Sequence, residues 1–88
     1  MNKSEFIKIV ENEGLKGYNI ENNPIKANEV GFFYEKDNFC VYYSDEKADV
    51  IIIKKYNYES DALEHIIKCL RINNKIKNRR INKSQINK

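Results

Sequence analysis

The sequence predicts a small α+β domain with an N-terminal helix, an antiparallel β-meander of three to four strands, a C-terminal helix packed on one sheet face, and a basic tail. Three observations predict it. Apolar residues recur at helical spacing near both ends of the chain, while the middle is written in runs of Val, Phe, Tyr and Ile separated by short polar turns. A length of 88 residues leaves room for one core and no second unit. Residues 1–72 are expected to form the single domain, and 73–88 a basic extension that is helical or disordered.

The first helix is expected over about residues 3–13. Asn2 can cap it, and Glu5 three residues on completes a capping-box arrangement. Phe6, Ile9 and Val10 fall at i, i+3 and i+4 and make one apolar stripe, with Lys3, Lys8, Glu11 and Asn12 facing out. Gly14 supplies the left-handed residue at the helix end, and Leu15 folds back onto the stripe. Residues 17–28 read as a short extended stretch followed by a loop, with a turn at Asn22-Asn23-Pro24.

Two strands follow, Glu29–Glu35 and Phe39–Ser44, separated by Lys36-Asp37-Asn38, where Asp and Asn tolerate the positive φ of a tight turn. Val30, Phe32 and Tyr34 share one face, opposed from the second strand by Val41 and either Phe39 or Tyr43. Ser44-Asp45-Glu46-Lys47 is a second polar turn, and Ala48 to about Tyr56 a third strand. The sheet needs a cover. Leu63, Ile66, Ile67 and Leu70 at i, i+3, i+4 and i+7 provide it, in a helix expected from about 60 to at least 72. Ile72 and Ile76 can prolong the pattern, and fraying or disorder is expected from about residue 78.

Composition narrows the function classes. The longest unbroken apolar run, Val50-Ile51-Ile52-Ile53, is far short of the roughly 20 residues of a membrane span. The N-terminus carries no secretory pattern, so a cytoplasmic location without membrane association is expected. Cys40 and Cys69 stand 29 positions apart in apolar contexts and read as free thiols of a reducing compartment. Asn, Ile and Lys number 13 each, the signature of an AT-rich coding sequence of bacterial, phage or plasmid type. Net charge +3 conceals an asymmetry: residues 1–70 hold nine Lys against 13 acids (−4), and residues 71–88 hold seven Lys and Arg and no acid (+7).

Catalytic groups do not converge in this sequence. His65 is the sole histidine, no Cys/His spacing suits zinc, and the glycines at 14, 17 and 31 make no phosphate loop. The expectation is a non-enzyme that needs no cofactor or metal. Six tyrosines gather in or beside the strands, and adjacent Tyr42 and Tyr43 must point to opposite faces. Tyrosine beside carboxylate suits protein recognition. Glu35, Asp37, Tyr42, Tyr43, Asp45, Glu46 and Tyr56 are the candidate partner-binding residues. A second candidate set, Lys75, Lys77, Arg79, Arg80 and Lys83, would contact nucleic acid in a salt-sensitive, nonspecific way.

The order of these elements carries a resemblance. The chain resembles the bacterial immunity proteins of polymorphic-toxin systems, specifically the immunity protein 59 family, over roughly residues 3–72. The matching stretches are Glu13-Gly14-Leu15-Lys16-Gly17-Tyr18, Pro24-Ile25, Asn28-Glu29-Val30-Gly31, Phe39-Cys40-Val41-Tyr42, Asp45-Glu46 and Tyr58-Glu59-Ser60-Asp61-Ala62-Leu63, the last leading into Ile66-Ile67 and Leu70-Arg71. Lys47-Ala48 stands where the family pattern has Arg and often Gly, and Phe39 where it has Trp; a Lys there forgoes the bidentate contact of an Arg. The resemblance implies a protein encoded beside a secreted toxin that binds and neutralises that cognate toxin inside the producing cell. The alternatives are a small nucleic-acid-binding protein acting through the basic tail, and a phage-encoded inhibitor of a host defence protein.

Overall fold

Helix α1 spans Lys3–Glu13 in the computed structural model, which describes the backbone of residues 1–86 and the side chains of residues 1–76. Its ends form as the sequence dictates. The Asn2 side chain accepts from the Glu5 amide at 2.9 Å, and Gly14 closes the helix at φ 64°. Leu15 turns back, its amide donating to the Val10 carbonyl, and is buried.

The four strands are β1 (Tyr18–Asn19), β2 (Val30–Glu35), β3 (Asn38–Ser44) and β4 (Val50–Tyr56), in spatial order β1-β2-β3-β4. The sheet is mixed, which corrects the purely antiparallel meander expected from sequence. β2–β3 and β3–β4 are antiparallel, but β1 runs parallel to β2, with Tyr18 beside Val30 and Asn19 beside Gly31. Residues 20–29 between β1 and β2 are too long a link for a tight hairpin, and they return the chain to the start of β1 before β2 begins. Asn19 organises that return: its side-chain amide donates to the Asn23 carbonyl (2.8 Å) and accepts from the Asn23 amide (3.2 Å). Gly31 permits the close approach, because a Cβ there would lie 2.1 Å from the Asn19 carbonyl oxygen.

The β2–β3 turn is tighter than the three residues expected. Lys36 (φ 49°) and Asp37 (φ 64°) both take left-handed backbone, and Asn38 already pairs with Glu35. Two left-handed central residues match the twist of the flanking strands. Across β3–β4 the register passes from Val41–Lys54 to Tyr42–Ile52, which leaves Ile53 as the extra residue of a β-bulge.

Helix α2 is Glu59–Ile86. Its first three turns cover the sheet with Ala62, Leu63, Ile66, Ile67 and Leu70, all buried against Phe6 and Val10 of α1 and the Val30, Phe32 and Val41 face. The helix then continues past the periodicity that buries it; no Gly or Pro follows Gly31 in the chain to break it. Ile72 and Ile76 are exposed. The two helices lie side by side in the same direction. The N-terminal amine of Met1 donates to Ser60 Oγ at 2.9 Å at one end, and Arg71 donates two bonds to the Glu13 carboxylate (2.8 and 2.5 Å) at the other. Cys40 is buried and Cys69 half-buried, and both are free thiols; burial pushes the Cys69 thiol up.

Candidate binding surface

Strand alternation places Phe39, Val41 and Tyr43 on the helix-bearing face and Cys40 and Tyr42 on the other. Burial then runs against the simple expectation of a covered face and an open one. Tyr42 is 1% exposed and Tyr43 is 41% exposed. On that other face Asn19 lies beside Gly31 and Tyr42, the Phe33 ring packs on the Tyr42 ring, and Asn22–Ile25 border a cleft along Phe33. The helices leave Tyr43 uncovered. Burial pushes the Tyr42 phenol up, and the Glu29 carboxylate adds to the shift. The Asn19 amide opposes that shift without a bond of good geometry, its own bonds going to Asn23, and the Tyr42 hydroxyl has no hydrogen-bond partner. Tyr42 is therefore not available to a partner, a correction to its place among the candidate contacts.

Apart from Tyr56, the remaining candidates fall into two groups at opposite ends of β3, roughly 20 Å apart for a strand of this length. At the β2–β3 turn, Glu35 and Asp37 are exposed, and Asp37 accepts a long bond (3.3 Å) from the exposed Tyr34 hydroxyl. At the β3–β4 turn, Asp45 is committed to local structure. Its Oδ1 accepts from the amides of Lys47 (2.8 Å) and Asp49 (2.9 Å), and its backbone bonds Ala48, Asp49 and Asn28. This Asx-type turn holds Ala48 at φ 65°. Ser44 locks the same corner from below, accepting from the Glu29 amide (2.8 Å) and donating to the Lys26 carbonyl (2.6 Å). Glu46 and Asp49 remain exposed with no ion-pair partner among the described residues.

Beside that turn, Tyr43 pairs in register with Ile51, which is 43% exposed. Sequence reading missed what surrounds it. All of Val50, Ile51, Ile52 and Ile53 are 41–45% exposed, because β4 is the edge of the sheet. A run of four aliphatic residues reads as a core strand. The one signal against that reading was Lys54-Lys55, since lysines in a strand mark an edge.

Tyr56 is half-buried and engaged elsewhere. Its hydroxyl lies 2.9 Å from His65 Nδ1 in a cleft of about 440 Å³ between β4 and α2, lined by Lys54, Tyr56, Asp61, Glu64, His65 and Lys68. Burial, then Lys54 and Lys68, push the His65 pKa down, so the ring is neutral at pH 7. With the proton on Nε2, Nδ1 accepts from the phenol. This is a latch between sheet and helix that uses the tyrosine internally. No group of three or more His, Cys, Asp or Glu converges as a metal site among the described residues.

In the basic set, Lys75 is exposed on α2. Lys77, Arg79, Arg80 and Lys83 lie outside the residues whose side chains are described. No described helix is long and apolar enough to cross a membrane.

Comparison with known proteins adds no identity: no family model, curated protein or solved structure matches the chain.

Proposed function

We propose that this chain is an immunity-type inhibitor, a small protein that neutralises a secreted bacterial toxin in the cell that makes it by binding the toxin directly. The observation that supports binding is the uncovered Tyr43–Ile51 pair, an aromatic and an aliphatic side chain left exposed beside the free carboxylates of Glu46 and Asp49. Apolar area rimmed by polar and charged side chains is the composition of a recognition patch. The body's −4 charge favours a basic toxin surface and speeds encounter with it. The family resemblance supplies the toxin as partner.

The test is protection. The toxin-like protein encoded beside this chain is expressed in a sensitive host with and without it, and complex formation is followed by calorimetry. Protection with a tight one-to-one complex is expected. Tyr43→Ala and Glu46→Lys should each weaken binding by about 1–3 kcal/mol while leaving the fold intact. Full protection by the double variant would remove this patch from the interface, and no protection by the native chain would end the immunity reading. Asp45 is unsuited to such a test because it builds the turn.

A further inference from the structure

Strand β4 also presents the outer backbone edge of the sheet, which shares Ile51, Glu46 and Asp49 with the Tyr43 patch. Its apolar half, Val50–Ile53, is exposed, and it is flanked by charge of opposite sign at its two ends. Glu46 and Asp49 stand exposed at the start, and Lys54 and Lys55 exposed at the finish. An edge strand of this kind is a template for another strand, and the order of its charges states which one.

We infer that two copies of this chain pair through β4, antiparallel about Ile52, to form one continuous sheet across a two-fold axis. Antiparallel pairing of a strand with itself brings the acidic end of each copy to the basic end of the other, and it does so twice. Parallel pairing would instead set carboxylate against carboxylate and lysine against lysine. The same pairing covers the Ile residues near the axis and lays the Lys54 and Lys55 stems along the partner's aliphatic residues. The bulge at Ile53 falls next to the axis in each copy, so the ladder is interrupted only near its centre. Closure follows from the other edge of the sheet. β1 is only two residues long and offers little to pair with, so association stops at two copies and does not run on into a fibre.

The experiment is sedimentation equilibrium of the full chain across the micromolar range, with circular dichroism to verify folding of each variant. The native chain should dimerise reversibly on concentration. Ile52→Lys, which sets two ammonium groups beside the axis, should raise the dimer Kd by on the order of tenfold or more. A charge-swap pair gives the test that a structural defect cannot mimic. A chain carrying Glu46→Lys and Asp49→Lys has two basic ends, and a chain carrying Lys54→Glu and Lys55→Glu has two acidic ends. Each alone should be monomeric, and an equimolar mixture of the two should restore the dimer. A native chain that stays monomeric up to its solubility limit would overturn the inference. So would a dimer indifferent to Ile52→Lys, which would place the interface elsewhere, or a mixture of charge-swapped chains that fails to associate.

Discussion

β3 and β4 are adjacent strands of seven residues each, joined by one turn and paired along their length. β3 mixes Asn, Phe, Cys, Val, Tyr and Ser, yet Cys40, Val41, Tyr42 and Ser44 are buried. β4 carries the more aliphatic run, Val50 to Ile53, and none of those four is buried. The difference lies in sheet order. β3 has a strand on either side, a helix layer over Val41, and Asn19 and Phe33 against Tyr42. β4 has one neighbour and a helix only near Tyr56. Hydrophobicity prepares a strand for burial, and position in the sheet decides whether burial occurs.

The burial of β3 is most exposed to disruption at the opposite edge of the sheet. Gly31→Ala drives a Cβ to 2.1 Å from the Asn19 carbonyl and 2.9 Å from the Tyr42 hydroxyl. It should dislodge β1 and lift Asn19 from Tyr42, at or beyond the upper end of the ~1–3 kcal/mol typical of overpacking. A thermal melt indistinguishable from the native one would show that the β1 side is not what buries β3. Next in size is a matched pair of truncations. Val41→Ala, at a fully buried site, should lower stability by about 2 kcal/mol. Ile52→Thr, at an exposed position of β4 opposite Tyr42, should stay within about 0.5 kcal/mol for the monomeric chain. Equal losses in urea unfolding would mean that β4 is covered in solution even in the monomer.

The smallest expected effect concerns the contact of Tyr56 on β4 with His65 on α2. His65 is held below its ordinary pKa of 6.5 by burial, Lys54 and Lys68. The unfolded chain therefore takes up a proton first as pH falls. Stability is at its full value above about pH 6.5 and declines through the interval between that pH and the lowered native pKa. His65→Gln should flatten that part of a stability–pH profile. A slope unchanged by the substitution would assign it to other groups.

Local rules made much of this fold legible in advance. The Asn2 cap, the Gly14 stop, the return of Leu15, the polar turns and the Leu63–Leu70 stripe all depend on residues within a turn or two of one another, and they appear where the sequence places them. The parallel pairing of β1 depends on a contact between Asn19 and Gly31 across twelve positions, which no local pattern states. The candidate surface was less legible for the same reason. Exposure of Tyr43 and burial of Tyr42 follow from which segments happen to lie over each face. The engagement of Tyr56 depends on His65 arriving from α2. Asp45 and Glu46 look alike in sequence, but only one of them is spent on its own turn.

Among the described residues, the ion pair of Arg71 with Glu13 is the last side-chain bond between the body and α2, one residue beyond the last buried side chain, Leu70. From there to Ile86 the helix advances about 1.5 Å per residue, roughly 24 Å in all, and the sequence loads that length with cations only. A negative body with a positive spar is an electric dipole. Near a charged surface such a molecule feels a torque before it makes contact, and it turns its acidic body toward a basic partner with the spar trailing. Raising the salt should blunt this alignment within a Debye length of about 8 Å, slowing encounter while leaving the lifetime of a formed complex nearly unchanged.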